Sequence, residues 1–178
     1  MRNDRTGTLF LRKSGTEPGT KITTLARLKR KVRRLKQKGK RIVFTNGCFD
    51  ILHYGHIKYL ADAKAKGDYL VVAVNSDESI KRIKGNKRPI IRQADRLKTV
   101  AALASVDFAV LFREDNPLKV IEALKPDILI KGSDWSKKNI VGASLVESYG
   151  GKILTVNLVK GRSTSAIIKK ITRLFGHE

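Results

Sequence analysis

The sequence predicts a single α/β domain in three layers, with a five-stranded parallel sheet between two layers of helices. Three observations carry that prediction. Short β-branched runs alternate with stretches of helical periodicity along most of the chain. The run Tyr69–Asn75 (YLVVAVN) is apolar almost throughout, as in a strand covered on both faces, where a half-exposed strand would alternate. Glycines and helix-capping residues stand at the joints between the runs.

The elements follow in order. Residues 1–20 are basic and broken by Gly7, Gly15, Pro18 and Gly19, which predicts a flexible tail. A basic amphipathic helix is expected within 21–40. Thr24 is placed to cap it, Leu25, Leu28, Val32 and Leu35 form its one apolar stripe, and Gly39 ends it. That stripe would pack on the domain or on a partner subunit. The main domain, 41–178, opens with a strand over 41–46. A helix over 54–66 is closed by Gly67, and the strand Tyr69–Asn75 follows. A helical turn over 77–83, a basic loop over 84–89 and a helix over 93–104 lead to the strand Phe108–Phe112. Asn116-Pro117 opens another helix, since proline tolerates the first turn. A strand over 127–131, a helix over 142–149, the turn Gly150-Gly151 and a strand over 153–157 complete the alternation. Ser163 opens a last helix to about residue 174. No internal repeat and no second domain is visible, and the order of elements is that of a Rossmann-like fold. In such sheets ligands bind beyond the carboxyl ends of the strands, near the point where strand order reverses. That rule directs attention to the residues after Asn46, Asn75, Lys131 and Asn157.

Composition narrows the function. A chain of 178 residues with 41% hydrophobic content supports one proper core. No apolar run is long enough to span a membrane, and Met1–Thr20 lacks the apolar stretch of a signal peptide, so a cytoplasmic protein is expected. Cys48 is the only cysteine, which excludes an intramolecular disulfide and a cysteine-cluster zinc site. The net charge is +22, and residues 1–40 hold fourteen Lys and Arg against only Asp4 and Glu17. A basic nucleic-acid-binding protein is one reading of that charge. The aromatic content of 6%, without interleaving among the basic residues, speaks against it. The positive excess that remains suits an enzyme whose substrates are polyanions.

The chemistry concentrates at four junctions. The first is TNGCFDILHYGH, residues 45–56. Gly47 lets the backbone turn close to a ligand, and His53 and His56 stand on the opening turn of a helix, with Gly55 between them removing a side chain. Unpaired N–H groups and a partial positive charge make a helix start receptive to phosphate. Only Asp50 stands nearby as an acidic ligand, so no metal site is expected among these histidines. The second is the basic loop, where Lys84, Lys87 and Arg88 cluster around Gly85, with Arg96 early in the next helix. The third is KGSDW, residues 131–135. Gly132 permits a tight turn, Ser133 and Asp134 can hydrogen-bond a ribose or base, and Trp135 offers a stacking face. The fourth is KGRSTSAII, residues 160–168, where Ser163, Thr164 and Ser165 open a helix as a second anion site.

His53-Tyr54-Gly55-His56 matches the HxGH signature of the nucleotidylyltransferase superfamily, and the surrounding TNGCFDILHYGHIKYL resembles its cytidylyltransferase-like branch. Within that branch the chain most resembles the heptose 1-phosphate adenylyltransferases, VGASLVESYGGKI (141–153) being the segment that most favours them. The likeness runs from about residue 21 to 175, and nothing corresponds to the kinase domain fused to this one in some relatives. Arg162-Ser163-Thr164-Ser165 resembles the second signature, with Ser165 where a threonine is usual. The resemblance implies transfer of AMP from ATP to a sugar 1-phosphate, with Mg²⁺ bound through the ATP phosphates, and a homodimer. It implies catalytic roles for His53, His56, Lys84 and Arg88. The nucleotide would be held by Asn46, Gly47, Cys48, Phe49 and Gly55, by Gly132, Asp134 and Trp135, and by Arg162, Ser163 and Thr164. The acceptor would be held by Asp50, Asn75 and Arg96. Glycerol 3-phosphate cytidylyltransferases and FMN adenylyltransferases share the chemistry and are the alternatives within the superfamily.

Overall fold

The computed structural model describes residues 18–136 and 139–176. Of the tail expected over 1–20, residues 1–17 lie outside the described residues, and Pro18–Lys21 forms one helical turn, α1, where the sequence predicts the tail to continue. The remaining elements are α2 (Leu25–Gln37), β1 (Ile42–Gly47), α3 (Tyr54–Lys64), β2 (Tyr69–Asn75), α4 (Asp77–Lys84), α5 (Gln93–Ala102), β3 (Phe108–Phe112), α6 (Leu118–Leu124), β4 (Ile128–Gly132), α7 (Ala143–Ser148), β5 (Lys152–Val156) and α8 (Thr164–Phe175).

The five strands form one parallel sheet in the order β3-β2-β1-β4-β5. This is the expected Rossmann-like architecture. Strand alternation sends successive side chains to opposite faces, and both faces are buried. Ile42, Phe44, Val71, Ala73, Val110 and Leu129 pack under α2, α6 and α7. Val43, Leu70, Val72, Val74, Ala109 and Ile130 pack under α3 and α5. The strand order reverses between β1 and β4, which opens a crevice at their carboxyl ends.

The basic helix α2 belongs to this core. Thr24 caps it, accepting from Arg27 N, and Leu28 and Val32 are almost wholly buried in the layer with α6. Lys36 fastens it further, donating to Lys125 O at 2.6 Å and pairing with Asp127 at 3.0 Å. Its apolar stripe therefore packs on the chain's own domain, and its charged side faces solvent. The terminal helix α8 differs. It has no buried residue, and Ile171, Leu174 and Phe175 are exposed. Among the described residues, no helix is long and apolar enough to cross a membrane.

Candidate active site

The turn after β1 shapes the crevice. Gly47 ends the strand, and a Cβ there would lie 3.1 Å from the Phe49 ring. Phe49 is itself left-handed, with φ of 47°, and its side chain is buried. A non-glycine residue in that region costs about 1–2 kcal/mol, so packing must hold it there. Its ring sits 5.5 Å from that of His56 and helps fix the imidazole.

His53 is the N-cap of α3, and its carbonyl accepts from His56 N at 2.9 Å, but its side chain makes no capping bond. The imidazoles of His53 and His56 instead stack, with centroids 4.0 Å apart and planes 27° apart. Gly55 permits this arrangement, because a Cβ there would meet His53 Cε1 at 2.9 Å and Arg162 Cβ at 3.3 Å. Both Nδ1 atoms are buried without a hydrogen-bond partner. Burial lowers the His56 pKa to about 4, with His53 adding to the effect. Burial also lowers that of His53, with the Arg162 charge second. Two neutral imidazoles with unmet hydrogen-bonding capacity thus stand at the start of a helix.

The opening of α8 reaches the same place. Ser163 caps the helix, accepting from Ala166 N at 3.1 Å, and Thr164 Oγ1 donates to Ile51 O at 3.4 Å. Arg162 faces His53 from this side. The start of α3, the start of α8 and Arg162 therefore converge.

The basic loop is tied to the same turn. Asp50 is only 4% exposed. Its carboxylate accepts from Arg88 Nε at 2.7 Å, from Ile90 N at 2.9 Å and from Ile91 N at 2.8 Å. The peptide Arg88–Pro89 is cis. Lys84, the last residue of α4, is exposed, and its charge with those of Arg96 and Arg88 acts on the Cys48 thiol. Burial nevertheless pushes that thiol up. Asp50, expected to meet the acceptor's hydroxyls, is thus fully engaged in holding the loop that carries Arg88.

Arg96 and Asn75, also expected to meet the acceptor, lie beneath the site. Arg96 is 1% exposed. It donates to Ile91 O at 2.9 Å, Cys48 O at 2.5 Å, Asn75 O at 2.7 Å and Asp77 Oδ1 at 2.8 Å. Asn75 is buried and donates from Nδ2 to Ser79 Oγ at 2.9 Å. Burial and protein partners make these two residues part of the frame. A charged residue early in an amphipathic helix gave no sign in the sequence of which way it would point.

On the other side of the crevice, Gly132 ends β4. A Cβ there would come within 2.5 Å of Asp134 Oδ1 and 3.0 Å of Leu158 Cδ2, so glycine leaves room for the Asp134 carboxylate to lie against the strand end. Trp135 is 46% exposed, leaving its ring open for stacking. Lys131, the last residue of the strand expected over 127–131 and not among the expected site residues, donates from Nζ to Asn46 Oδ1 at 2.5 Å and lies 5.7 Å from the Trp135 ring centroid. Its position at the carboxyl end of an apolar strand was the available signal.

The site is therefore a crevice at the sheet's reversal point, with paired imidazoles and a second helix start on one side and a tryptophan on the other. The cytidylyltransferase-like family profile matches residues 44–172, which contain all of these groups. The bifunctional protein HldE of Geobacter metallireducens is 54% identical over 143 residues, or 80% of this chain and 29% of that protein. HldE of Magnetococcus marinus is 47% identical over 156 residues, or 88% of this chain and 32% of that protein. The chain thus spans about three-tenths of the length of these relatives. Among solved structures, the lipopolysaccharide core biosynthesis protein from Thermoplasma volcanium is 36% identical, with a TM-score of 0.56 over 70% of this chain and 100% of that one. Pantothenate synthetase from Thermus thermophilus, at 14% identity and a TM-score of 0.57 over 78% of this chain and 62% of that one, shares the fold alone. With its profile match covering most of the chain and its crevice formed by the matched residues, this protein belongs to the cytidylyltransferase-like family.

Proposed function

We propose that the protein transfers AMP from ATP to a heptose 1-phosphate, giving an ADP-sugar and pyrophosphate. The observation that carries this reading is the stacked pair His53 and His56, with two buried, unpartnered Nδ1 atoms where the starts of α3 and α8 converge. Phosphate oxygens match such a place in charge and in hydrogen bonding. The choice of acceptor rests on the resemblance to heptose 1-phosphate adenylyltransferases, supported by the identity to HldE and to a lipopolysaccharide core biosynthesis protein.

The nucleophile needs little activation. A phosphate monoester has a second pKa of about 6, so its dianion dominates near neutral pH. An oxygen of that dianion bonds to the α-phosphorus as the bond from it to the bridging oxygen breaks, and pyrophosphate leaves with the electron pair. No proton is removed from the nucleophile. Catalysis is then positioning and charge stabilisation. His53, His56, Arg162, Ser163 and Thr164 hold the triphosphate, and Lys84 and Arg88 steady the reacting phosphates. Asn46, Gly47, Cys48 and Phe49 shape the floor, and Gly132, Asp134 and Trp135 take the ribose and base. Mg²⁺ would come with the ATP rather than be held by the protein, since among the described residues no cluster of His, Cys, Asp or Glu could hold a metal ion and Asp50 is committed to Arg88, Ile90 and Ile91. When bound, the ion would neutralise charge on the leaving pyrophosphate.

The test is pyrophosphate release with ATP or CTP offered against heptose 1-phosphate, other sugar 1-phosphates, glycerol 3-phosphate and FMN. Release with ATP and heptose 1-phosphate is expected. Release only with CTP, or only with FMN, would move the chain to another branch, and no release with any pair would overturn the reading. We further propose a cytoplasmic homodimer, its association testable by sedimentation.

A further inference from the structure

Lys131 stands at the carboxyl end of β4, beside the crevice where strand order reverses. Strand alternation fixes which side of the sheet it serves. Ile130 packs in the layer with α3 and Leu129 in the layer with α7, so Lys131 follows Leu129. Asn46 lies on that same side, because Thr45 before it turns toward α3 and hydrogen-bonds Tyr59 at 2.7 Å. Lys131 and Asn46 thus enter the crevice from the face opposite the helix that carries His53 and His56, at the strand ends where the two faces meet.

The surroundings of the ammonium are unusual. Its partners are Asn46 Oδ1 at 2.5 Å, Asn46 O at 3.3 Å and the face of Trp135, all neutral. Among the described residues it forms no ion pair with a carboxylate. The titratable groups that act on it are Cys48, in the turn after β1, and Asp134, in its own loop. Burial lowers its pKa to about 8. A half-buried ammonium whose direct partners are all neutral, with the Asp134 carboxylate beyond ion-pair distance, works against folding, and a methionine would fill the space at less cost. Such a group is better explained by an anionic ligand than by the fold.

Two anions meet in the proposed reaction. The triphosphate belongs with the imidazoles and the α8 start, on the α3 side of the crevice, while Lys131 approaches the same crevice from the opposite side, so the two anions can meet beyond the strand ends. We propose that Lys131 takes the other anion, binding the phosphate of the acceptor and aiming it at the α-phosphorus, with Asn46 and Trp135 fixing the ammonium. Lys131 keeps its proton throughout and acts by charge and position. This assignment rests on the transferase reading, and its test separates the two.

Trp135 is the only tryptophan in the chain, so its fluorescence reports on this pocket directly. The full chain and its Lys131→Met and Lys131→Arg variants are titrated with heptose 1-phosphate, and separately with a non-hydrolysable ATP analogue. Losing a charged hydrogen bond weakens binding roughly 10- to 100-fold. We expect Lys131→Met to show that loss in affinity and KM for the sugar phosphate, with ATP-analogue affinity within twofold of wild type. Its thermal midpoint should equal or exceed that of the wild type, and Lys131→Arg should recover part of the binding. Unchanged sugar-phosphate affinity, a loss confined to the ATP analogue, or a lowered midpoint in Lys131→Met would each overturn the assignment. If the wild type binds the sugar phosphate through Lys131 but releases no pyrophosphate, the transferase reading and the aiming role fail, and the phosphate-binding role of Lys131 stands. If the wild type does not bind the sugar phosphate at all, both fail.

Discussion

Replacing Arg96 with methionine removes a guanidinium that joins three segments. Its four acceptors are Cys48 O in the turn after β1, Asn75 O and Asp77 Oδ1 at the β2–α4 junction, and Ile91 O before α5. The side chain is almost wholly inaccessible, whereas that of Asp77 is 24% exposed. Removing one partner from a buried charged network costs about 3–5 kcal/mol. Each buried carbonyl left unpaired costs about 1–3 kcal/mol, while water reaching Asp77 recovers part of the total. We therefore expect a loss of about 4 kcal/mol, a large share of the roughly 5–15 kcal/mol that holds a typical domain together. For a chain of this size that lowers the melting midpoint by about 8–16 °C. Urea denaturation followed by circular dichroism measures the loss, and the KM values for both substrates should rise because the turn after β1 loses its anchor. A loss below about 1 kcal/mol would show that Arg96 does not hold the frame, and would return it to the group of residues that could meet substrate.

Further outcomes follow from the same geometry. His56→Gln should lower kcat about 100-fold, about 3 kcal/mol of barrier, by analogy with the loss of an oxyanion donor, and steady-state assays at saturating substrate measure it. The same variant carries a pH signature. The folded-state pKa of His56, about 4, lies below the ordinary 6.5, so stability is full above pH 6.5 and is lost as pH falls from 6.5 toward 4. With allowance for partial exposure that loss is about 1–2 kcal/mol, and it should be missing from His56→Gln in melts run across that range. Asp50→Asn weakens the pairing with Arg88 and the hold on Ile90 and Ile91, so KM should rise about tenfold, with faster proteolysis of the 84–91 segment. Gly132→Ala places a Cβ against the side chains of Asp134 and Leu158, and should weaken nucleotide binding by pushing the Asp134 carboxylate aside, as calorimetry with an ATP analogue would show.

The fold was legible because its signals are local. The apolar run Tyr69–Asn75 emerges as β2 with the expected bounds, Thr24 caps α2, and Ser163 caps α8. Strand alternation and capping depend on neighbours within a few residues, which a sequence displays directly. The placing of both signatures at helix starts was legible for a similar reason, since each follows a strand and opens with capping or histidine residues. The direction taken by single charges was not. Arg96 and Arg92 look alike in sequence, yet Arg96 is buried under Cys48 and Arg92 stands exposed. Asp50 reads as a turn residue that meets either the acceptor or backbone N–H groups, and the N–H groups it does bond lie forty positions away in Ile90 and Ile91. Lys131 reads as the end of a strand, and its pairing with Asn46 spans 85 positions. These contacts depend on strand order, which the sequence alone did not provide.

The central claim is that the acceptor's phosphate attacks the α-phosphorus of ATP. It is tested most directly by following the label from ATP carrying ³²P at the α-position, with heptose 1-phosphate and Mg²⁺. The account predicts that all transferred label appears in an ADP-sugar, with unlabelled pyrophosphate released in equal amount. Label in the released phosphate product, or turnover of ATP that leaves the sugar phosphate unlabelled, would contradict it.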